Sequence, residues 1–250
     1  MRGKVVPAIR SDRTVVIVEA RKDPLLGYAI YRTMQALGRD EWRLQIFHSL
    51  ENELFLREII RSFARRTTLT SLSRFGNITS QKAYSFLLTT KAFWEAIDTE
   101  HILIFQTDAI LLKPIPRYML QYGYVGSPWS TEKTKTARWN PAGGTGGFSL
   151  RKRSLMIEYS ENRSLPLRAL RDANFTDPTF PEDYYFSTKV AATRQLPPMF
   201  VAEKFGWELG PHVAELSETP CGLHKFYRHH PWPVVNRVMR KIHVDLQKLV

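Results

Sequence analysis

HILIFQTDAILLK, His101 to Lys113, opens with an apolar run, Ile102-Leu103-Ile104-Phe105, rich in β-branched and aromatic residues and too short for a helix of its own. Such a run predicts a buried strand. It stops at Gln106-Thr107-Asp108; a second apolar run covers Ala109 to Leu112, and Pro114 and Pro116 end regular structure. A carboxylate is thus expected at the carboxyl end of a buried strand, where open α/β sheets form their ligand crevices. Burying a carboxylate alone is costly, so Asp108 must be paired, hydrogen-bonded or metal-bound. From this stretch alone, an Asp that merely caps a turn is an equal reading.

The segments before it fit an α/β sheet. Thr14 to Val18 is a continuous β-branched run and predicts a buried parallel strand, with Glu19, Arg21 and Lys22 at its carboxyl end. Leu25, Leu26, Ala29, Ile30, Thr33, Met34 and Leu37 keep helical spacing between Pro24 and Gly38, and Trp42 to His48 is the next strand. This is a βαβ unit with a right-handed crossover. No G-x-G-x-x-G follows the first strand, so the dinucleotide fingerprint is missing. Asn52 to Arg65 and Ser80 to Ile97 predict helices, Ser80 as an N-cap of the second. Lys91, on the broad face of that helix, is placed to reach over the sheet edge toward a phosphate.

Beyond Lys113, short strands are expected at Tyr122 to Gly126, Phe148 to Leu150 and Phe205 to Leu209, with a helix over Arg151 to Tyr159. Thr131 to Asn140 is polar and basic and reads as a surface loop or lid. The loop PAGGTGG, Pro141 to Gly147, carries four glycines in seven residues, which lets backbone N–H groups approach a ligand. It lacks the Gly-Lys-Ser/Thr ending of a Walker loop. Pro181 to Ser187, PEDYYFS, puts Glu182 and Asp183 at a helix start before an aromatic run. Acids favour helix N-termini for dipole reasons; adjacent carboxylates against aromatic bulk also raise a general base toward neutral pKa. Pro220 to Lys225 is turn-like and sets His224 beside Lys225.

The 250 residues, 43% hydrophobic and 24% charged, suit a globular α/β domain over residues 14–228, preceded by a basic arm (1–13) and followed by a basic amphipathic helix (229–250). One cysteine, Cys221, excludes an internal disulfide framework. No apolar run suggests a transmembrane helix and the first residues lack a signal-peptide core, so a cytoplasmic location is favoured and the sequons at Asn77, Asn162 and Asn174 read as chance matches. The net charge of +12 gathers in four clusters, each explicable as a solvated face. Together they favour anionic ligands such as nucleotides or phosphates, or an anionic membrane surface; nucleic acid is not expected.

A strand ending in x-x-Asp, a Gly-rich loop, an acidic pair and a late Gly-x-His together resemble the GT-A class of nucleotide-sugar glycosyltransferases. Within that class, the order of VVIVEAR (15–21), LQIFH (44–48), the Tyr84 to Trp94 helix, HILIFQTDAIL (101–111), YVGSPW (124–129), GTGGFSLRKRS (144–154), PEDYYFS (181–187) and CGLHK (221–225) is similar to a glycosyltransferase-like family known as a domain of unknown function. The resemblance implies a GT-A-like α/β fold with a mostly parallel central sheet flanked by helices. It implies that Gln106-Thr107-Asp108 takes the place of the D-x-D motif, with Gln106 departing from the usual first Asp. Asp108 and His224 would hold Mn²⁺ or Mg²⁺. Glu19, Arg21, Lys91, Gln106, Thr107, Gly146, Gly147 and Lys225 would contact a nucleotide-diphosphate-sugar donor, and Asp183, with Glu182 beside it, would be the base of an inverting transfer to a glycan or protein acceptor. Two other readings stay open: a non-catalytic module binding nucleotide-sugar or polyanion, and a metal-dependent nucleotidyltransferase, which would want more carboxylates. On the metal reading, Asp108 and His224 must meet at one crevice.

Overall fold

In a computed structural model of the chain, the described residues are 11–38, 42–76, 78–129, 142–161, 180–208 and 219–247. The expected basic arm up to residue 10, the polar loop 131–140 and the three sequon asparagines lie outside them.

The β-branched run becomes β1 (Arg13–Glu19), buried throughout, and is followed by α1 (Leu25–Ala36) and β2 (Arg43–His48). β2 lies parallel to β1, from Thr14↔Arg43 to Glu19↔His48, so the βαβ unit forms as its spacing predicts. Gly38 takes a φ of +78°, the left-handed conformation that ends α1. α2 (Glu53–Ile59) is shorter than the predicted helix and passes through a 3₁₀ stretch, Arg61–Arg66, into β3 (Thr67–Ser71), parallel to β2. The predicted helix from Ser80 to Ile97 is two: α3 (Gln81–Leu88) and α4 (Lys91–Glu95). The break has a local cause. The hydroxyls of Thr89 and Thr90 donate back to the carbonyls of Phe86 and Leu87, and Thr90 is extended at ψ 139°. Ser80 does cap α3, its hydroxyl accepting from Ala83 N–H at 3.1 Å.

β4 (His101–Phe105) pairs parallel with β1. Then come β5 (Ala109–Leu111), β6 (Tyr124–Ser127), β7 (Thr145–Lys152), α5 (Arg153–Glu161), α6 (Glu182–Ala192), α7 (Met199–Phe205), β8 (Gly206–Trp207), β9 (Gly222–His224), α8 (Phe226–His229) and α9 (Trp232–Gln247). Phe205, expected to open a strand, instead ends α7. The main sheet has six strands in the order β3-β2-β1-β4-β7-β6, and β7 alone runs against the others. A second, three-stranded sheet has the order β5-β9-β8.

Both faces of the main sheet are covered at its centre, which is why β1 and β4 read as unbroken apolar runs. Val15, Ile17, Leu103 and Phe105 pack with α1 and α7 on one face. Val16, Val18, Ile102 and Ile104 pack with α3, α4 and α6 on the other. Val235 and Val238 dock α9 beside Trp207 and Phe226, while Trp232 stays exposed. Among the described residues, no helix is long and apolar enough to cross a membrane.

Candidate active site

β4 ends at Phe105, and the chain turns over Gln106 to Ala109, closed by Ala109 N–H donating to the Gln106 carbonyl at 3.0 Å. β5 then pairs antiparallel with β9, with Ala109 opposite His224. This register brings together residues far apart in sequence. His224 Nε2 lies 3.3 Å from Asp108 Oδ1 and 3.2 Å from Gln106 Oε1. Its other nitrogen, Nδ1, donates to Glu208 Oε2 at 2.5 Å. Burial pulls the His224 pKa down, but the carboxylates of Asp108 and Glu208 outweigh it and the net shift is upward. Burial pushes the Asp108 carboxyl up, yet His224 and Lys225 hold it below its ordinary range.

These residues fit a divalent cation. Asp108 Oδ1 is buried, and the group it faces is His224 Nε2 at 3.3 Å. It converges with a histidine nitrogen and an amide oxygen, the oxygen-and-imidazole chemistry that suits Mn²⁺ or Mg²⁺. Glu208 on Nδ1 is the outer carboxylate that metal-bound histidines commonly use to fix ring and tautomer. Among the described residues no three His, Cys, Asp or Glu side chains surround one point. The chain thus offers a two-residue anchor plus Gln106, leaving positions for phosphate and water oxygens, as Mg²⁺ sites usually do.

Cations surround this anchor. Arg21, Lys225 and Arg228 all lie within electrostatic reach of Asp108. Lys225 holds the left-handed conformation at φ 48° and donates its N–H to the Asp108 carbonyl at 3.1 Å, so the two residues are tied by backbone as well as charge. Thr107 sits half-buried in the turn. Glu19, expected at the donor, accepts a fork from Arg21 at 2.9 and 2.8 Å; it orients that arginine and has no oxygen free of it. Lys91 is a correction. Its ammonium is held by Glu161 at 2.8 Å and Glu95 at 3.5 Å on the exposed side of α4, because the break at Thr90 turns α4 onto α5.

A second group adjoins the first through Gly146 and Gly147. The β6–β7 register jumps from Gly126↔Ser149 to Ser127↔Thr145, so both glycines lie in an irregular part of β7. A Cβ on Gly147 would lie 2.2 Å from His224 Nε2 and 2.5 Å from Gln106 Oε1; one on Gly146 would lie 2.0 Å from Glu182 Oε1. The glycines leave room for the site's own side chains, and the Gly146 N–H, expected at a ligand, is taken by Asp183 Oδ2 at 3.1 Å.

Asp183 is the second residue of α6, with Oδ1 accepting from Tyr184 N–H at 2.8 Å. Burial and the neighbouring Glu182 charge push its carboxyl up to about 6, against the pull of those N–H groups and Arg151. Glu182, expected to act with Asp183, is engaged otherwise: both its oxygens accept from buried Arg151, at 2.6 and 3.1 Å. Its role at the site is corrected to that of a counter-charge. Tyr84, on α3, carries a buried hydroxyl whose polar neighbour is the Gln106 amide.

Sequence reasoning missed Glu208, Arg151 and Tyr84. Glu208 follows a strand, as Asp108 does, and that shared position was its signal. Arg151 looked like one more basic residue of the RKRS cluster, and Tyr84 like core.

Among solved structures, the fold is similar to the apo form of mouse xyloside xylosyltransferase 1, with a TM-score of 0.56 at 8% identity over 89% of this chain and 100% of that one. It is also similar to the galactosyltransferase LgtC in complex with donor and acceptor sugar analogues, with a TM-score of 0.55 at 8% identity over 93% of this chain and 96% of that one. The fold is therefore the GT-A type, a central sheet flanked by helices. The chain belongs to the family described as Protein of unknown function (DUF5672), whose model matches residues 67–224. No curated protein sequence matches it.

Proposed function

We propose that this chain is a glycosyltransferase that moves a sugar from a nucleoside-diphosphate donor to an acceptor hydroxyl of a glycan or protein, with Mn²⁺ or Mg²⁺ and with inversion. One observation carries the reading: at the carboxyl end of β4, the buried Asp108 Oδ1 converges with His224 Nε2 and the Gln106 amide oxygen, while Glu208 holds Nδ1. The xylosyl- and galactosyltransferase likenesses support the fold on which such a site would work.

Asp108 and His224, with Gln106, would hold the cation. When bound, it neutralises the diphosphate as that group departs. Arg21, Lys225 and Arg228 add fixed positive charge around Asp108, which draws a diphosphate in and stabilises its leaving charge. Asp183, with its carboxyl raised to about 6, is ionised at pH 7 yet basic enough to take the acceptor hydroxyl's proton. Its two backbone N–H donors fix the direction in which the carboxylate points.

The test is to incubate the protein with UDP- and GDP-sugars and Mn²⁺ and to follow released nucleotide and melting temperature. The expected result is a raised melting temperature with one donor class and turnover of it, both lost with chelator. A stabilising nucleotide-sugar that is never turned over, even with candidate acceptors, would instead favour a non-catalytic module, the reading to which Gln106 in place of an acid lends weight.

A further inference from the structure

Arg151 has a side chain fully buried from solvent, and every edge of its guanidinium is used. Nε donates to Ser149 Oγ at 2.9 Å, Nη1 to Glu182 Oε2 at 2.6 Å, and Nη2 to Glu182 Oε1 at 3.1 Å and the Gly146 carbonyl at 3.3 Å. Its flat faces are lined by the rings of Tyr124, Trp94 and Phe186, at 4.9, 5.6 and 5.7 Å. Replacing a buried ion pair by apolar side chains is often neutral or stabilising, so stability alone is a poor reason for such a pair. What it touches suggests another. The Gly146 carbonyl is held by Arg151 and by Ser149 Oγ at 2.8 Å, and the N–H of Gly146 holds Asp183.

We infer that Arg151 is a positioning residue for Asp183: with Glu182 as its counter-charge, it holds the Gly146 carbonyl and so fixes the residue whose N–H aims the Asp183 carboxylate. The inference rests on the proposed transfer reaction for its purpose, but not for its test. Glu182 is then spent on neutralising Arg151. Without it, Asp183 would sit beside a bare guanidinium that stabilises the carboxylate and weakens it as a base. The titratable and charged groups facing Asp183 are Glu182 on α6, Arg151 on β7, Tyr84 on α3 and Tyr124 on β6. Burial keeps both phenols neutral, so the Arg151–Glu182 balance decides the local field.

Two substitutions separate charge from geometry. Glu182→Gln keeps the shape and removes the counter-charge. Arg151→Lys keeps the charge, but one ammonium cannot reach Ser149, Glu182 and Gly146 as a planar fork does. The readouts are the carboxyl ¹³C titration of Asp183, assigned by its loss in Asp183→Asn, and the amide resonance of Gly146, all in the full chain. In Glu182→Gln the Asp183 midpoint should fall by about one unit or more. In Arg151→Lys the Gly146 amide should shift and broaden, and where turnover is measured kcat should fall on the order of 10²-fold with donor KM unchanged. Should Arg151→Lys not fold, Ser149→Ala removes one support of the same carbonyl and should move the same amide. Folded variants with an unmoved Asp183 midpoint and an unmoved Gly146 amide would overturn the inference. A wild-type protein with no turnover would sink the transferase reading, while these resonances would still decide the positioning role.

Discussion

His224 donates from Nδ1 to Glu208 Oε2 at 2.5 Å, and this bond turns Nε2 toward Asp108 Oδ1, 3.3 Å away. The ring is thus oriented by a buried carboxylate on the nitrogen opposite Asp108. On the metal reading, Glu208→Gln should weaken Mn²⁺-dependent UDP or GDP binding by about 10- to 100-fold while leaving the anchor residues in place. Calorimetry showing unchanged affinity would make Glu208 a structural partner only.

Asp108→Ala goes further, because it removes the carboxylate that faces Nε2. Nucleoside-diphosphate binding with Mn²⁺ should be lost, and the circular dichroism spectrum should be retained, since the Asp108 carbonyl that pairs with Lys225 N–H is untouched. Equal UDP and GDP affinities in mutant and wild type would count against a cation-bridged site.

Tyr84→Phe tests the buried hydroxyl beside Gln106. Deleting a buried hydroxyl whose one polar neighbour is the Gln106 amide removes a desolvated polar group at little loss of packing, so the melting temperature should change little. A clear drop would show that the hydroxyl is bonded within the protein. A drop in nucleotide-sugar affinity at constant stability would assign it to the ligand.

The two glycines separate the two halves of the site. In Gly147→Ala the new methyl would meet His224 Nε2 and Gln106 Oε1, so Mn²⁺-dependent nucleotide binding should fail first. In Gly146→Ala it would meet Glu182 Oε1 and strain the Arg151 pair, so the melting temperature should fall, with a cost on the order of 1–3 kcal/mol as for other overpacked sites. Thermal melts and calorimetry on both variants would check the division; the same phenotype from each would refute it.

The fold was legible where burial on two faces writes an unbroken apolar run, as in Val15 to Val18 and Ile102 to Phe105. It was less legible at Thr89 and Thr90, where hydroxyls divide a helix whose apolar spacing runs straight through, and at Phe205, where an apolar residue serves helix and strand alike. At the site, Asp108 and His224 were legible through position and resemblance, and the β5–β9 pairing brings them into contact. Lys91, Glu182 and Arg151 were not, because a charge in sequence does not name its partner. Glu161 claims Lys91 across the exposed α4–α5 side, and Arg151 claims Glu182 inside the core.

Asp183 carries the last prediction, and its sign follows from the direction of its shift. The folded protein holds this proton more tightly than the unfolded chain does, with a carboxyl at about 6 against an ordinary 3.8. The stabilising contribution is therefore complete below pH 3.8 and is lost as pH rises through about 6. Asp183→Asn removes that loss, so at pH 8 its melting temperature should equal or exceed that of the wild type. It also leaves an oxygen to accept an N–H bond at the start of α6, since Asn and Asp serve helix starts comparably. Transfer behaves in the opposite sense. The wild-type rate should rise through pH 6 as the base ionises, whereas an amide accepts no proton and the variant should lose on the order of 10² to 10⁴ in rate at unchanged donor affinity. Melts from pH 4 to 8, set beside the pH–rate profile, separate the two roles. A variant that transfers normally would leave Asp183 as a residue of the helix start alone.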